Sequence, residues 1–158
     1  MQKIGGQVLI ETAIILPLLL LLLFGVVDFS RAMYTHSTLH NAARSGARAA
    51  AVTHPLASTS PPAPLFSSSG EPAETIKSSL AGKVPENAAV QYEVTILDST
   101  GAPVTGNAHA GNQIRITLRY PNFHFVTPVF NLLSQGTDHT SKGNGSMAIT
   151  AEVSMRYE

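Results

Sequence analysis

Glu11 is the only ionisable side chain between Val8 and Val27, in a stretch that reads VLIETAIILPLLLLLLFGVV. A carboxylate in so apolar a helix is costly, so it is either paired, functional, or close enough to the helix start to reach a polar headgroup layer. His36 and His40 stand four residues apart, which would put two imidazoles on one helix face. Two ligands do not make a metal site, and neither a third ligand nor a catalytic carboxylate follows at suitable spacing. There is no HExxH pair, and neither zinc nor haem finds a ligand set, so the histidines read as solvent-facing polar residues and no cofactor is expected. The glycines and Lys142 of GTDHTSKGNGS, residues 136–146, lack the order of a phosphate loop and precede a strand pattern instead of a helix. No serine lies in a nucleophile elbow, no carboxylate pair stands out, and the chain has 0 cysteines. The chemistry left is electrostatic pairing, and the chain reads as a protein that is not an enzyme.

The element that must position Glu11 is the apolar run itself. At 1.5 Å per residue its helix would reach about 30 Å, the thickness of a bilayer's hydrocarbon core. A removable signal peptide has a shorter apolar region ending in a small-residue cleavage site. Here the run passes into Asp28, Phe29, Ser30 and Arg31 without one, although the later AARSGARAAA supplies small residues. Pro17 removes one backbone hydrogen bond and is expected to kink the helix harmlessly, as membrane helices tolerate. Lys3 and the initial amine precede the span, while Asp28 and Arg31 nearly cancel beyond it. The positive-inside tendency therefore favours a cytoplasmic N-terminus and a C-terminal domain outside the cytoplasm.

With 158 residues the chain has room for one small domain beyond the span. Its 10 basic and 10 acidic residues balance, so the broad positive field of a nucleic-acid binder is missing. The absence of cysteine removes disulfide staples and thiolate metal sites.

Residues 28–52 contain no proline and are rich in alanine, so the helix should continue as a rod of about 65 Å in all. Met33, Leu39, Ala43, Ala47 and Ala50 can share a packing stripe, with Arg31, Arg44 and Arg48 more exposed. The small residues Ala43, Gly46 and Ala47 suit close helix packing, either on the chain's own domain or on another chain's rod. Residues 53–70, THPLASTSPPAPLFSSSG, read as a Pro/Ser-rich linker or loop. Glu71 to Lys83 suggests a short helix capped by Ser69 or Gly70, with Pro72 in its first turn and Ile76 and Leu80 inward.

Strand periodicity follows. Val90, Tyr92, Val94 and Ile96 alternate with polar neighbours, as do Ile114, Ile116, Leu118 and Tyr120, and then Met147, Ile149, Ala151, Val153 and Met155. The fold class expected is therefore α+β: a long N-terminal transmembrane helix continuing into a small domain, 71–158, with a three- to four-stranded antiparallel sheet that the helix covers. PNFHFVTPVFNLL, residues 121–133, concentrates apolar side chains between polar loops. It could pack on the sheet, lie at the membrane surface, or present Phe123, Phe125 and Phe130 to a partner.

Gly6-Gln7-Val8-Leu9-Ile10-Glu11 resembles the type IV prepilin processing site, in which a short leader ends in glycine and glutamate is the fifth residue of the mature apolar helix. With Pro17, Gly25, Asp28, Ser30, Arg31 and the run NAARSGAR at 41–48, the resemblance narrows to TadE-like proteins, pseudopilins or minor pilins of the tight-adherence (Flp-type) pilus secretion system. It is strongest over residues 5–52, and the ending AEVSMRYE is similar to the family's closing strand. The resemblance implies a leader at 1–6, cleavage between Gly6 and Gln7 by a prepilin peptidase, and a transmembrane helix at 7–27. It implies that Glu11 pairs with the mature amine of a neighbouring subunit. Other pilin-like subunits, the pilus assembly machinery and membrane lipid are the implied partners, with no nucleic acid. The inner membrane is the implied location, with possible incorporation into an extracellular pilus. The competing reading is a bitopic membrane-anchored protein whose outer domain binds something unrelated to pili. A secreted domain released by ordinary signal processing is the third.

Overall fold

The computed structural model describes residues 4–85, 88–125 and 146–157. It divides into two compact units, one of Met1–Ala32 with His124–Ser146 and one of Met33–Phe123 with Met147–Glu158. Helix α1, Ile4–Val52, contributes to both and continues through Pro17.

In the first unit α1 buries almost nothing of its apolar surface. Every described side chain from Val8 to Phe24 is exposed, and the helix is long and apolar enough to cross a membrane. A helix apolar on all sides whose described side chains are exposed has water as a poor solvent and lipid as a good one. The exception is Asp28, which is fully buried.

In the second unit the same helix changes character. Leu39, Ala42, Ala43, Ala47 and Ala50 are completely buried, and their spacing of three and four residues draws one stripe along α1. Gly46 lies on that stripe, where an added Cβ would stand 2.4 Å from Ile76 Cγ1 and 3.5 Å from Ile116 Cδ1. The stripe is thus packed against helix α2, Ala73–Leu80, and strand β4, Gln113–His124. Met33, expected on it, is 49% exposed. It precedes the first buried position of the second unit by more than a turn, so no side chain of that stripe continues to it.

The sheet has the order β1-β2-β4-β5, with β3 also pairing β2. Its strands are β1, Thr59–Pro64; β2, Gln91–Leu97; β3, Pro103–Val104; β4; and β5, Ser146–Arg156. It is antiparallel, and the β2–β4 register places Tyr92 opposite Leu118, Val94 opposite Ile116 and Ile96 opposite Ile114. All six are buried, so the period-two alternation delivers three cross-strand apolar pairs to one face. On the other face Arg115 Nε lies 2.9 Å from Glu152 Oε1, a pairing between β4 and β5 at the solvent surface that is worth at most about 1 kcal/mol.

Several elements differ from expectation. The 53–70 stretch is not wholly a linker: β1 runs through it and pairs with β2, and the backbone N–H of Leu65 donates to Val90 at 2.8 Å, burying Leu65. Pro61, Pro62 and Pro64 lack the N–H a central strand needs, but β1 lies at the end of the sheet order, where one side of a strand has no ladder to supply. The second unit accordingly starts well before residue 71. Helix α2 is shorter than Glu71 to Lys83, and Pro72 takes its N-cap with no side-chain capping bond, in place of Ser69 or Gly70. Ile76 and Leu80 are buried as expected. Strand β4 runs past Tyr120 to His124, and its burial alternation loses phase around Pro121, which has no N–H to donate. Tyr120 is half-buried with its ring edge-on to Phe123 at 6.4 Å, and Met147 at the start of β5 is 47% exposed.

Candidate functional site

The beginning of α1 holds the residues singled out for processing and pairing. Gly6 is exposed, and a Cβ there would meet nothing within 4 Å. The Gln7 side chain lies outside the described residues, although its backbone is helical. Glu11 is one turn further along, exposed, and without an ion-pair partner among the described residues. Four residues of helix separate Gln7 from Glu11, about 6 Å along the axis and just over one full turn, so both positions fall on one face. A carboxylate presented on an apolar surface with no cation beside it among the described residues is a group that a cation from elsewhere would stabilise.

The far end of the apolar stretch is polar in a different way. Asp28 is fully buried, and Arg31 one turn later brings its guanidinium to 3.7 Å. The Ser30 hydroxyl donates to the Val26 carbonyl at 2.8 Å, which satisfies it inside the helix. Phe24, Phe29 and Tyr34 are all exposed around this point, an arrangement that suits aromatic side chains at a membrane–water boundary. Sequence reading gave Asp28 little weight because Arg31 cancels its charge. The available signal was the pairing itself, an acid ending an apolar run with a base three residues later.

The remaining residues of interest fall elsewhere. Ala43 and Ala47 are fully buried, and Gly46 admits Ile76, so these small residues pack against the chain's own domain. Phe123 is only 4% exposed and is therefore spent on its own domain rather than offered to a partner. Phe125 is half-buried, and Phe130 lies outside the described residues, as does most of the 121–133 apolar concentration. The rings of His36 and His40 stack with centroids 6.4 Å apart. Among the described residues no group of three or more His, Cys, Asp or Glu is placed to hold a metal ion.

The family described as TadE-like protein matches residues 6–48. The chain carries a TadE-like domain. It begins at Gly6, takes in Glu11, the whole apolar stretch and the Asp28–Arg31 pair, and ends at Arg48 on the packed part of α1, before any of the sheet. No curated protein and no solved structure matches the chain. The TadE-like segment therefore has a family of non-catalytic, pilin-like proteins behind it, while the sheet is described by its own geometry.

Proposed function

We propose that this protein is a pilin-like subunit of a tight-adherence pilus system, anchored by the apolar part of α1 and working by assembly. The observation that carries this reading is a coincidence of position. The TadE-like match covers the exposed, apolar stretch of α1, and Glu11 stands at the start of that stretch with no ion-pair partner among the described residues.

Cleavage after Gly6 by a prepilin peptidase would put a new ammonium on Gln7. Its own Glu11 lies within a turn, and the Glu11 of a neighbouring subunit is available once two helices lie side by side. An ionised carboxylate costs about 3 kcal/mol at the centre of a membrane helix on insertion scales, and less near the helix start where Glu11 stands. An ammonium at hydrogen-bonding distance offsets part of that cost and rewards one axial register over others. Register selection is the work assigned to Glu11. The second unit, carried on the cytoplasm-distal part of α1, is the domain presented outside the cytoplasm, and neighbouring pilin-like subunits and the assembly machinery are its partners.

The experiment that tests this is determination of the N-terminus of the chain taken from its native membrane, where a start at Gln7 is expected. A bitopic anchored protein would keep Met1, and ordinary signal processing would remove the apolar helix altogether.

A further inference from the structure

Charge is unevenly distributed along the chain. From Phe29 to Gly70 there are three bases, Arg31, Arg44 and Arg48, and no acid; from Glu71 to Asp98 there are five acids against Lys77 and Lys83. The fold turns this into two surfaces. Arg44 and Arg48 stand four residues apart on the exposed side of α1, away from the buried Ala43, Gly46 and Ala47, and neither has an acidic partner among the described residues. Helix α2 buries Ala73, Ile76 and Leu80, which leaves Glu71 and Glu74 facing outward and exposed. Glu74 shares the Lys77 ammonium at 2.9 Å, but that ammonium also donates to the Ser68 carbonyl oxygen. Glu71 accepts the Thr75 hydroxyl at 2.7 Å and has no cation among the described residues.

We propose that Arg44 and Arg48 of one copy dock on Glu71 and Glu74 of a second copy. The chemistry is guanidinium against carboxylate, which arginine makes in a planar, two-point geometry. Lipid headgroups are a poorer occupant, because Arg44 lies about 25 Å of helix axis beyond Val27 and a headgroup's field is screened within about 10 Å. A nucleic acid would feel no net attraction to a chain of formal charge +0. A second copy brings the complementary patch at matching concentration. Two different patches can meet head-to-tail, which leaves one of each free at the ends and gives an open array where the rotation between copies does not close. This names a contact within the assembly proposed above and rests on that reading.

The absence of cysteine makes the test direct. Val52, 74% exposed and one turn beyond Arg48, and Ser78, exposed and one turn beyond Glu74, are replaced by cysteine on separate full-length copies, V52C and S78C, co-expressed in one membrane. A short bis-maleimide then joins them only where the two patches meet. The expected result is a V52C–S78C product. R44E with R48E on the first copy, or E71R with E74R on the second, lowers its yield about tenfold, and both reversals together restore it to within about threefold of the starting level. That restoration also proves that both reversed chains fold. Absence of the product, indifference to either reversal, or no restoration overturns the proposal, and loss on the arginine side alone overturns it in favour of another anion. The N-terminus of the same preparation keeps the two readings apart. A chain starting at Gln7 without the cross-link defeats this contact only, whereas one starting at Met1 defeats the assembly reading.

Discussion

The Tyr157 hydroxyl donates to the Thr53 carbonyl oxygen at 2.9 Å, tying the residue that follows β5 to the residue that follows α1. The Tyr157 hydroxyl oxygen also meets His54 Nδ1, and the two rings meet edge to face with centroids 4.9 Å apart. A phenol has one proton, and Thr53 takes it, so His54 Nδ1 is the donor in the second contact. Backbone bonds from Tyr157 N to Asn112 O at 2.8 Å and from Gly111 N to Tyr157 O at 3.0 Å complete the clasp. Tyr157→Phe should lower stability by about 1 kcal/mol, with Thr53 O left part-buried and short of a donor. Denaturant unfolding of the detergent-solubilised chain checks this, and a midpoint equal to wild type would contradict it.

Gly46→Ala should destabilise the domain by about 1–3 kcal/mol even though alanine is the better helix former, because the new methyl would overlap the buried Ile76 side chain. The two positions should couple. Ile76→Ala, costly by itself, should cost less in the Gly46→Ala background, and a double-mutant cycle on unfolding free energies measures the difference. Simple additivity would show that the helices shift apart instead.

The β2–β3 hairpin turns on Asp98. Its carboxylate accepts the Thr100 hydroxyl at 2.6 Å and the backbone N–H groups of Thr100 and Ala102 at 2.8 and 3.0 Å, while Gly101 takes the positive φ the turn requires, +85°. These bonds, the Thr100 hydroxyl first, hold the Asp98 carboxyl below its ordinary value. A lowered folded-state pKa contributes stability that is present above the unfolded value, about 4, and is lost as pH falls through the folded value. The stability difference between wild type and Asp98→Ala should therefore shrink as unfolding is measured at successively lower pH below about 4. A difference that stays constant down to pH 2 would contradict the carboxylate's role.

Glu11→Ala should leave the chain inserted in the membrane, since it removes a charge from an apolar helix, yet reduce its recovery with other pilin-like subunits by about tenfold or more. Glu11→Asp should retain part of that recovery and Glu11→Gln little, because the charge is the working feature. Co-purification from native membranes reads this out, and equal recovery of Glu11→Ala and wild type would remove Glu11 from assembly.

The legible and illegible parts of this protein separate along physical lines. Val94 and Ile116 could be placed facing inward from alternation alone, because a half-buried antiparallel strand writes its period into the sequence. The apolar stretch around Glu11 was legible for the same reason, one environment acting on many consecutive residues. Strand β1 was not, since the prolines that fit an edge strand also spell a loop. The Tyr157–Thr53 bond joins residues far apart in the chain and leaves no local pattern. Asp28 was hidden differently, because its burial depends on tertiary structure that a charge balance with Arg31 does not reveal. Met33 shows the limit of periodicity, which marks a face but not where its covering ends.

The central claim is that Gly6 and Glu11 are parts of one device, a cleavage that creates the cation its glutamate needs. Intact-mass and N-terminal analysis of the chain extracted from its native membrane tests it most directly. A chain beginning at Gln7 with the apolar helix retained is the predicted result. A chain beginning at Met1, or one lacking the stretch from Val8 to Val27, would contradict it.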